Sequence, residues 1–148
     1  MERASRRVGI DWGSESHQVC RIDGEEEPKQ RAFPHTSEGL SALVDFVIEG
    51  EMEPEQIAIA IEVNHGAVVE ALLAKRLRVY SINPKLLDRL RDRFSMAGAK
   101  DDRRDAFVLA CASDSTHEAR TKASRRSSLA PAMEKRSRSR SSNFGLIE

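Results

Sequence analysis

"VGIDWGSESHQVCRID", residues 8–23, holds two β-type segments and one misplaced charge. Val8 to Trp12 reads as a short buried strand. Residues 17–23, "HQVCRID", alternate apolar and polar and read as a second strand. Asp11 stands inside the first of them. A carboxylate is costly to take out of water unless something compensates it, so its place there needs a chemical reason.

Working outward, "GEEEP" (24–28) is a polar turn, and the segment around Arg31 to Phe33 can complete an antiparallel meander. Ser37 to Ile48 places Leu40, Leu43, Val44, Val47 and Ile48 at helical spacing, with Thr36 or Ser37 as N-cap. "EGEMEPE" is a loop. "IAIAIEV" (57–63) is a continuous apolar run, as expected of a central strand covered on both faces, and Glu62 lies at its end. Asn64 to Arg76 has a helical period, and "LRVYSI" (77–82) reads as a further strand. Asn83 and Pro84 supply a cap and a first-position proline for a helix over Lys85 to Phe94. "SMAGAK" is a loop, and Asp102 to Ala112 reads as a last helix. Strands meander first and then alternate with helices. That order predicts an α/β fold, a mixed sheet of ribonuclease H-like layout with helices on both faces.

The chain has 148 residues, enough for one domain with a sizeable core. Charged residues make up 32% and hydrophobic ones 39%, the balance of a globular chain. No apolar run is long enough to span a bilayer, and "MERASRR" leads into no hydrophobic segment, so no membrane anchor or signal peptide is expected and the location expected is cytoplasmic. Cys20 and Cys111 lack the spacing of a zinc site, and a disulfide is not needed. The four histidines show no ligand spacing and read as ordinary residues. The formal net charge of zero hides an asymmetry: 112–148 carries eight bases against four acids, a net charge of about +4. This tail, with "ASRRSS" and "KRSRSRSS", lacks apolar periodicity and is expected to be disordered. The expected division is therefore 1–111 folded and 112–148 tail.

Four carboxylates stand where packing alone would not choose them. They are Asp11 inside the first strand, Glu62 ending the most apolar one, and Asp102 with Asp105, three apart on one face of the last helix. Each has a plain structural explanation by itself: Asp11 as a turn residue, Glu62 as a cap, the helical pair as acids at a helix start. Together they form a candidate catalytic cluster. Crowded carboxylates repel and raise each other's pKa values, and a divalent cation relieves this. Mg²⁺ takes hard oxygen ligands and keeps water positions open. Two such ions can act on a phosphodiester. Arg89, Arg91, Arg93, Lys100, Arg103 and Arg104 surround the acidic helix and are candidate nucleic-acid contacts, supplying sequence-independent affinity for phosphates.

"VGIDWGSESHQVCRIDG", "IAIAIEVNHG" and "VYSINPKLLDRLRDRFSMAGAKDDRRDAFVLA" resemble the N-terminal DEDD, RuvC-like domain of the insertion-sequence transposases that include Piv-type DNA invertases and bridge-RNA-guided recombinases. The resemblance covers roughly residues 6 to 111, and the "NP" turn, the Arg-rich helix and Lys-x-Asp-x-x-Asp-Ala are its most specific part. It implies that Asp11, Glu62, Asp102 and Asp105 are metal ligands. It also implies Mg²⁺-dependent DNA transposition and recombination, a guide RNA in some members, and a homo-oligomer at full length. Two departures stand out. Position 101 is Asp where the family has a small hydroxyl residue, and nothing in 112–148 resembles the family's second domain with its serine nucleophile. The expectation is a truncated copy, arising from a frameshift near residue 111.

Three other readings compete. One is a stand-alone Mg²⁺-dependent RuvC-like nuclease using water as nucleophile. Another is a non-catalytic nucleic-acid-binding remnant. The third is a phosphate binder of the actin and sugar-kinase type, suggested by "GIDWGSES" before a second strand, although the chain is short for a two-lobed cleft and lacks a G-x-x-x-x-G-K-[ST] loop. Cutting of branched DNA would single out the nuclease and ATP binding the kinase-like reading.

Overall fold

A computed structural model describes residues 4–94 and 103–113. Its sheet has five strands: β1 (Arg6–Asp11), β2 (Ser16–Asp23), β3 (Lys29–Pro34), β4 (Ile57–Ile61) and β5 (Arg78–Ser81). Their order is β3-β2-β1-β4-β5. β2 is antiparallel to both β1 and β3, while β4 is parallel to both β1 and β5. Helices α1 (Ser37–Ile48), α2 (Ala67–Ala74) and α3 (Pro84–Phe94) follow the strands, and residues 103–113 form helix α4. A mixed sheet with only β2 reversed is the ribonuclease H-like layout expected from the element order.

Side-chain size sorts the two faces. On one face, Val8, Ile10, Val19, Phe33, Ile57, Ile59 and Ile61 build the main core with α1 and α2. Residues alternate across a strand, so the opposite face receives Gly9, Ala58 and Ala60. These small residues leave a shallow floor. Ala60 packs with Leu87 of α3 and with Val108 and Leu109 of α4, while Cys20 and Ile22 pack against Ala106 and Ala110. β4 is buried at all five positions, as a continuous apolar run requires.

Gly9 sets how close α4 can come. A Cβ on Gly9 would lie 2.0 Å from the Ala106 carbonyl oxygen and 2.3 Å from the Ala110 backbone nitrogen. Both are backbone atoms and cannot turn aside. At the start of α4, the Arg103 carbonyl accepts at 2.8 Å from Gln30, which is itself bonded to Gln18 opposite Asp11. Thus α4 runs against β1, its start toward Asp11.

The other end of the sheet is closed by buried ions. Arg6 Nε donates to Asp23 Oδ1 at 2.5 Å, and its Nη1 donates to the carbonyls of Val47 and Glu49 at 2.8 and 2.7 Å. Arg21 Nη1 donates to the Phe46 carbonyl at 2.7 Å and to Glu49 Oε2 at 2.5 Å. Its Nε lies 3.2 Å from Asp23 Oδ2, an ion-pair contact without hydrogen-bond geometry. Two guanidiniums thereby satisfy the last carbonyls of α1, which a helix end leaves open, and tie them to β1 and β2.

Most expected elements match within a residue or two. Thr36 is the cap of α1, accepting from the Gly39 amide at 3.0 Å, and Asn83 Oδ1 accepts from the Lys85 amide at 2.9 Å before α3. Two expectations are corrected. The helix expected over Asn64–Arg76 spans only Ala67–Ala74. It begins late because Gly66 takes φ 103°, outside helical space, and it ends in a Schellman turn. There Arg76 adopts φ 59° and the Leu77 amide reaches the Leu72 carbonyl at 3.3 Å. The loop expected over 49–55 contains the start of a short 3-10 turn, Pro54–Gln56, held by reciprocal Glu53 and Gln56 contacts. The proposed tail, beyond residue 113, lies outside the described residues.

Gly9→Ala should destabilise the chain by about 2–3 kcal/mol, the cost of overpacking a tight contact, read as a lowered urea midpoint. Asp23→Ala strips the shared counter-ion from two buried guanidiniums and should cost about 3 kcal/mol, read by the same denaturation curve.

Candidate functional site

β1 and β4 pair in parallel, with Gly9 opposite Ala60 and Ile10 opposite Ile61. Asp11 is the last residue of β1, and Glu62 directly follows the end of β4, the neighbouring parallel strand. Alternation puts both on the face that α4 covers, and Val63 packs into the opposite core, as the same alternation requires. Both residues are half-buried. The strand end is fixed from β5: the Ile82 amide donates to the Ile61 carbonyl at 2.9 Å, and Ser81 Oγ donates to the Glu62 carbonyl at 3.4 Å.

The start of α4 is fastened from the other side. Gln18 is paired with Asp11 across β1 and β2. Its Nε2 donates to Gln30 Oε1 at 3.1 Å, and Gln30 Nε2 donates to the Arg103 carbonyl at 2.8 Å. Two amides thus link the strand beside Asp11 to the first described turn of α4.

Asp105 lies in that turn, on the flank facing α3. Its Oδ1 accepts from Arg91 Nε at 2.8 Å and its Oδ2 from Arg91 Nη2 at 2.9 Å. Arg91 also donates to Asp88 Oδ1 at 2.7 Å. Asp102 and Lys100 lie outside the described residues. Three of the four expected carboxylates can therefore be placed. Asp11 ends β1 and Glu62 follows the end of the neighbouring β4, while Asp105 is held by a guanidinium. No group of three or more His, Cys, Asp or Glu close enough to hold a metal occurs among the described residues. Asp11 and Glu62 suit a hard divalent cation by their oxygen chemistry and their placement.

Among the bases, Arg89, Arg93 and Arg103 are exposed and Arg104 is half-buried. Arg91 is half-buried and makes the bidentate ion pair with Asp105.

The turn after Asp11 depends on a residue that the sequence reading passed over. His17 is fully buried. Its Nδ1 accepts from the Gly13 amide at 3.2 Å, and its Nε2 lies 2.8 Å from His35 Nδ1. A backbone amide only donates, so Nδ1 carries no proton and the Nε2–H points at His35. Burial, and after it the charge of His35, holds His17 below the ordinary histidine range, which keeps this tautomer neutral. Gly13 has no room for a side chain, since a Cβ would lie 2.3 Å from the Ser16 carbonyl oxygen. Trp12 is 42% exposed, its ring 6.1 Å from that of His17, so it is no core residue. The 18-residue separation of the two histidines hid their pairing; only the β2–β3 register brings them together. Cys20 and Cys111 are both free, and burial pushes the Cys20 thiol up to about 12, far from a thiolate nucleophile.

Comparison with known proteins adds the family. The transposase model DEDD_Tnp_IS110 matches residues 8–144. A relative named as a transposase, y4uE of Sinorhizobium fredii, is 50% identical over 98 residues, covering 64% of this chain and 27% of its own length. A mini-circle transposase for IS117 of Streptomyces coelicolor is 35% identical over 97 residues, covering 64% of this chain and 23% of its own. The chain spans about a quarter of the length of these relatives. Among solved structures, RuvC of T. thermophilus in complex with a Holliday junction substrate is similar at TM-score 0.49 and 13% identity, over 78% of this chain and 96% of that one. Nuclease-like domains of the DEDD class generally use divalent metal ions. The chain belongs to the IS110-type family of DEDD transposases.

Proposed function

We propose that this chain supplies the Mg²⁺-binding, DNA-engaging part of a transposase that recombines DNA, acting in the cytoplasm with the cellular DNA. One observation carries the reading. Asp11 is the last residue of β1 and Glu62 the first residue beyond β4, at the same end of two adjacent parallel strands. The sheet there spends two rigid positions on carboxylates, which a packed core would not favour and a metal site requires. Asp11, Glu62, Asp102 and Asp105 are the proposed ligands. Bound among them, Mg²⁺ would supply Lewis-acid activation of a phosphodiester and charge stabilisation for its leaving oxygen.

The chain's own residues do the rest. β1 and β4 hold two carboxylates at fixed separation, and the Gln18–Gln30 pair holds α4 above them. Arg89, Arg93, Arg103, Arg104 and Lys100 bind backbone phosphates and bring a strand to that edge. A guide RNA and a homo-oligomer are assigned to the whole-length transposase.

Asp11→Asn keeps the shape of the side chain and removes its charge. Calorimetric titration with Mg²⁺ should show affinity reduced about tenfold or more, with circular dichroism unchanged, because a charged ligand is lost and the strand is not. Equal affinity in the variant would refute the assignment. For the bases, log–log plots of DNA affinity against salt should be shallower by about one for Arg93→Ala, as expected when one phosphate contact is removed. An unchanged slope would take Arg93 out of the DNA-binding surface.

A further inference from the structure

Arg91 presents a contradiction within the proposed site. α3 and α4 meet through Leu87, Leu90, Val108 and Leu109. Immediately beyond this apolar contact, the planar fork of Arg91 engages both oxygens of Asp105, at 2.8 and 2.9 Å. The Asp105 side chain is only 14% exposed. Water therefore screens the pair poorly, and the geometry is the bidentate one that makes such pairs strong. A divalent cation bound by Asp105 would need lone pairs on the same carboxylate. It would also place two further positive charges beside the guanidinium.

We propose that Arg91 is a built-in stand-in cation, a latch that neutralises Asp105 in the metal-free chain and is displaced when a divalent metal binds, freeing its guanidinium for a nucleic-acid phosphate. This rests on the metal-site reading above. Asp88 gives the released side chain a place to go. It lies one turn back on α3, is 68% exposed, and already accepts from Arg91 Nη1 at 2.7 Å. A guanidinium let go by Asp105 and still leaning on Asp88 projects from the exposed side of α3, beside Arg89 and Arg93. Metal loading and phosphate binding then favour each other, and the linkage is reciprocal.

The alternative is that Arg91 orients Asp105 for the metal, as a supporting partner would. The two roles differ in sign. If Arg91 is a latch, Arg91→Gln should tighten Mg²⁺ binding about tenfold, the worth of one hydrogen bond between charged groups. The control Lys85→Gln removes one positive charge from the same helix without touching Asp105, and should change affinity by less than about twofold, as a screened surface charge does. Arg91→Lys keeps the charge and the apolar stem but not the fork; it should also tighten binding, though less, and it covers the case in which the glutamine variant fails to fold. In the wild-type chain, the Arg91 Nε–H resonance should shift and lose its protection from exchange as Mg²⁺ is added. Weaker or unchanged Mg²⁺ binding in both Arg91 variants, with Asp11→Asn still weakening it about tenfold or more, would overturn the latch and leave the metal site standing. A static Arg91 resonance at saturating Mg²⁺ would do the same. No Mg²⁺ binding by the wild-type chain would overturn both.

Discussion

The close approach of α4 to β1 over Gly9 is the constraint on which the rest of the molecule depends. A missing side chain lets a helix backbone rest on a strand backbone. Ala58 and Ala60 extend the same shallow floor across β4. Because α4 is pressed this low and runs against β1, its first turn arrives at the sheet edge where β1 and β4 end. A larger residue at position 9 would lift the helix, and Asp105 near its start would be lifted with it. The position is two residues from the proposed ligand Asp11, so one short strand both carries the carboxylate and admits the helix that faces it.

The two ends of the sheet handle charge in opposite ways. At the Arg6 end, buried guanidiniums are matched by Asp23, Glu49 and three carbonyls of α1. Toward the Asp11 end, the start of α4 carries Asp105, which is matched by the bidentate contact of Arg91. A site that must accept a mobile cation cannot be neutralised permanently by its own residues, yet unneutralised acids repel in its absence. A side-chain cation that can leave meets both demands. The asymmetry divides labour in the proposed reading, with stability gathered at one end and the proposed metal site at the other.

Much of the fold was legible because its signals are local. Strand alternation in 17–23, the apolar run 57–61, the Thr36 and Asn83 caps and the period of Ser37–Ile48 each depend on near neighbours. The misplaced Asp11 was legible for a related reason: it breaks a local pattern. What stayed hidden is long-range or depends on an absence. The role of Gly9 shows only when α4 is docked on it. His17 and His35 meet through strand register, and Gln18 reaches Arg103 only through Gln30. Arg91 read as one base among several on an amphipathic helix, because nothing within α3 shows that Asp105, fourteen residues on, accepts from two of its nitrogens. The late start of α2 turns on Gly66, whose φ a helical period does not report.

The central claim is that the strand edge formed by Asp11 and Glu62 is a divalent-metal site. Anomalous diffraction from crystals of the chain soaked in Mn²⁺, a stand-in for Mg²⁺ that can be located by its scattering, tests it most directly. The account predicts an anomalous peak in contact with the carboxylates of both Asp11 and Glu62. A peak confined to other acids, such as Glu25 to Glu27 in the β2–β3 turn, or no peak at the Asp11 edge at saturating Mn²⁺, would contradict it.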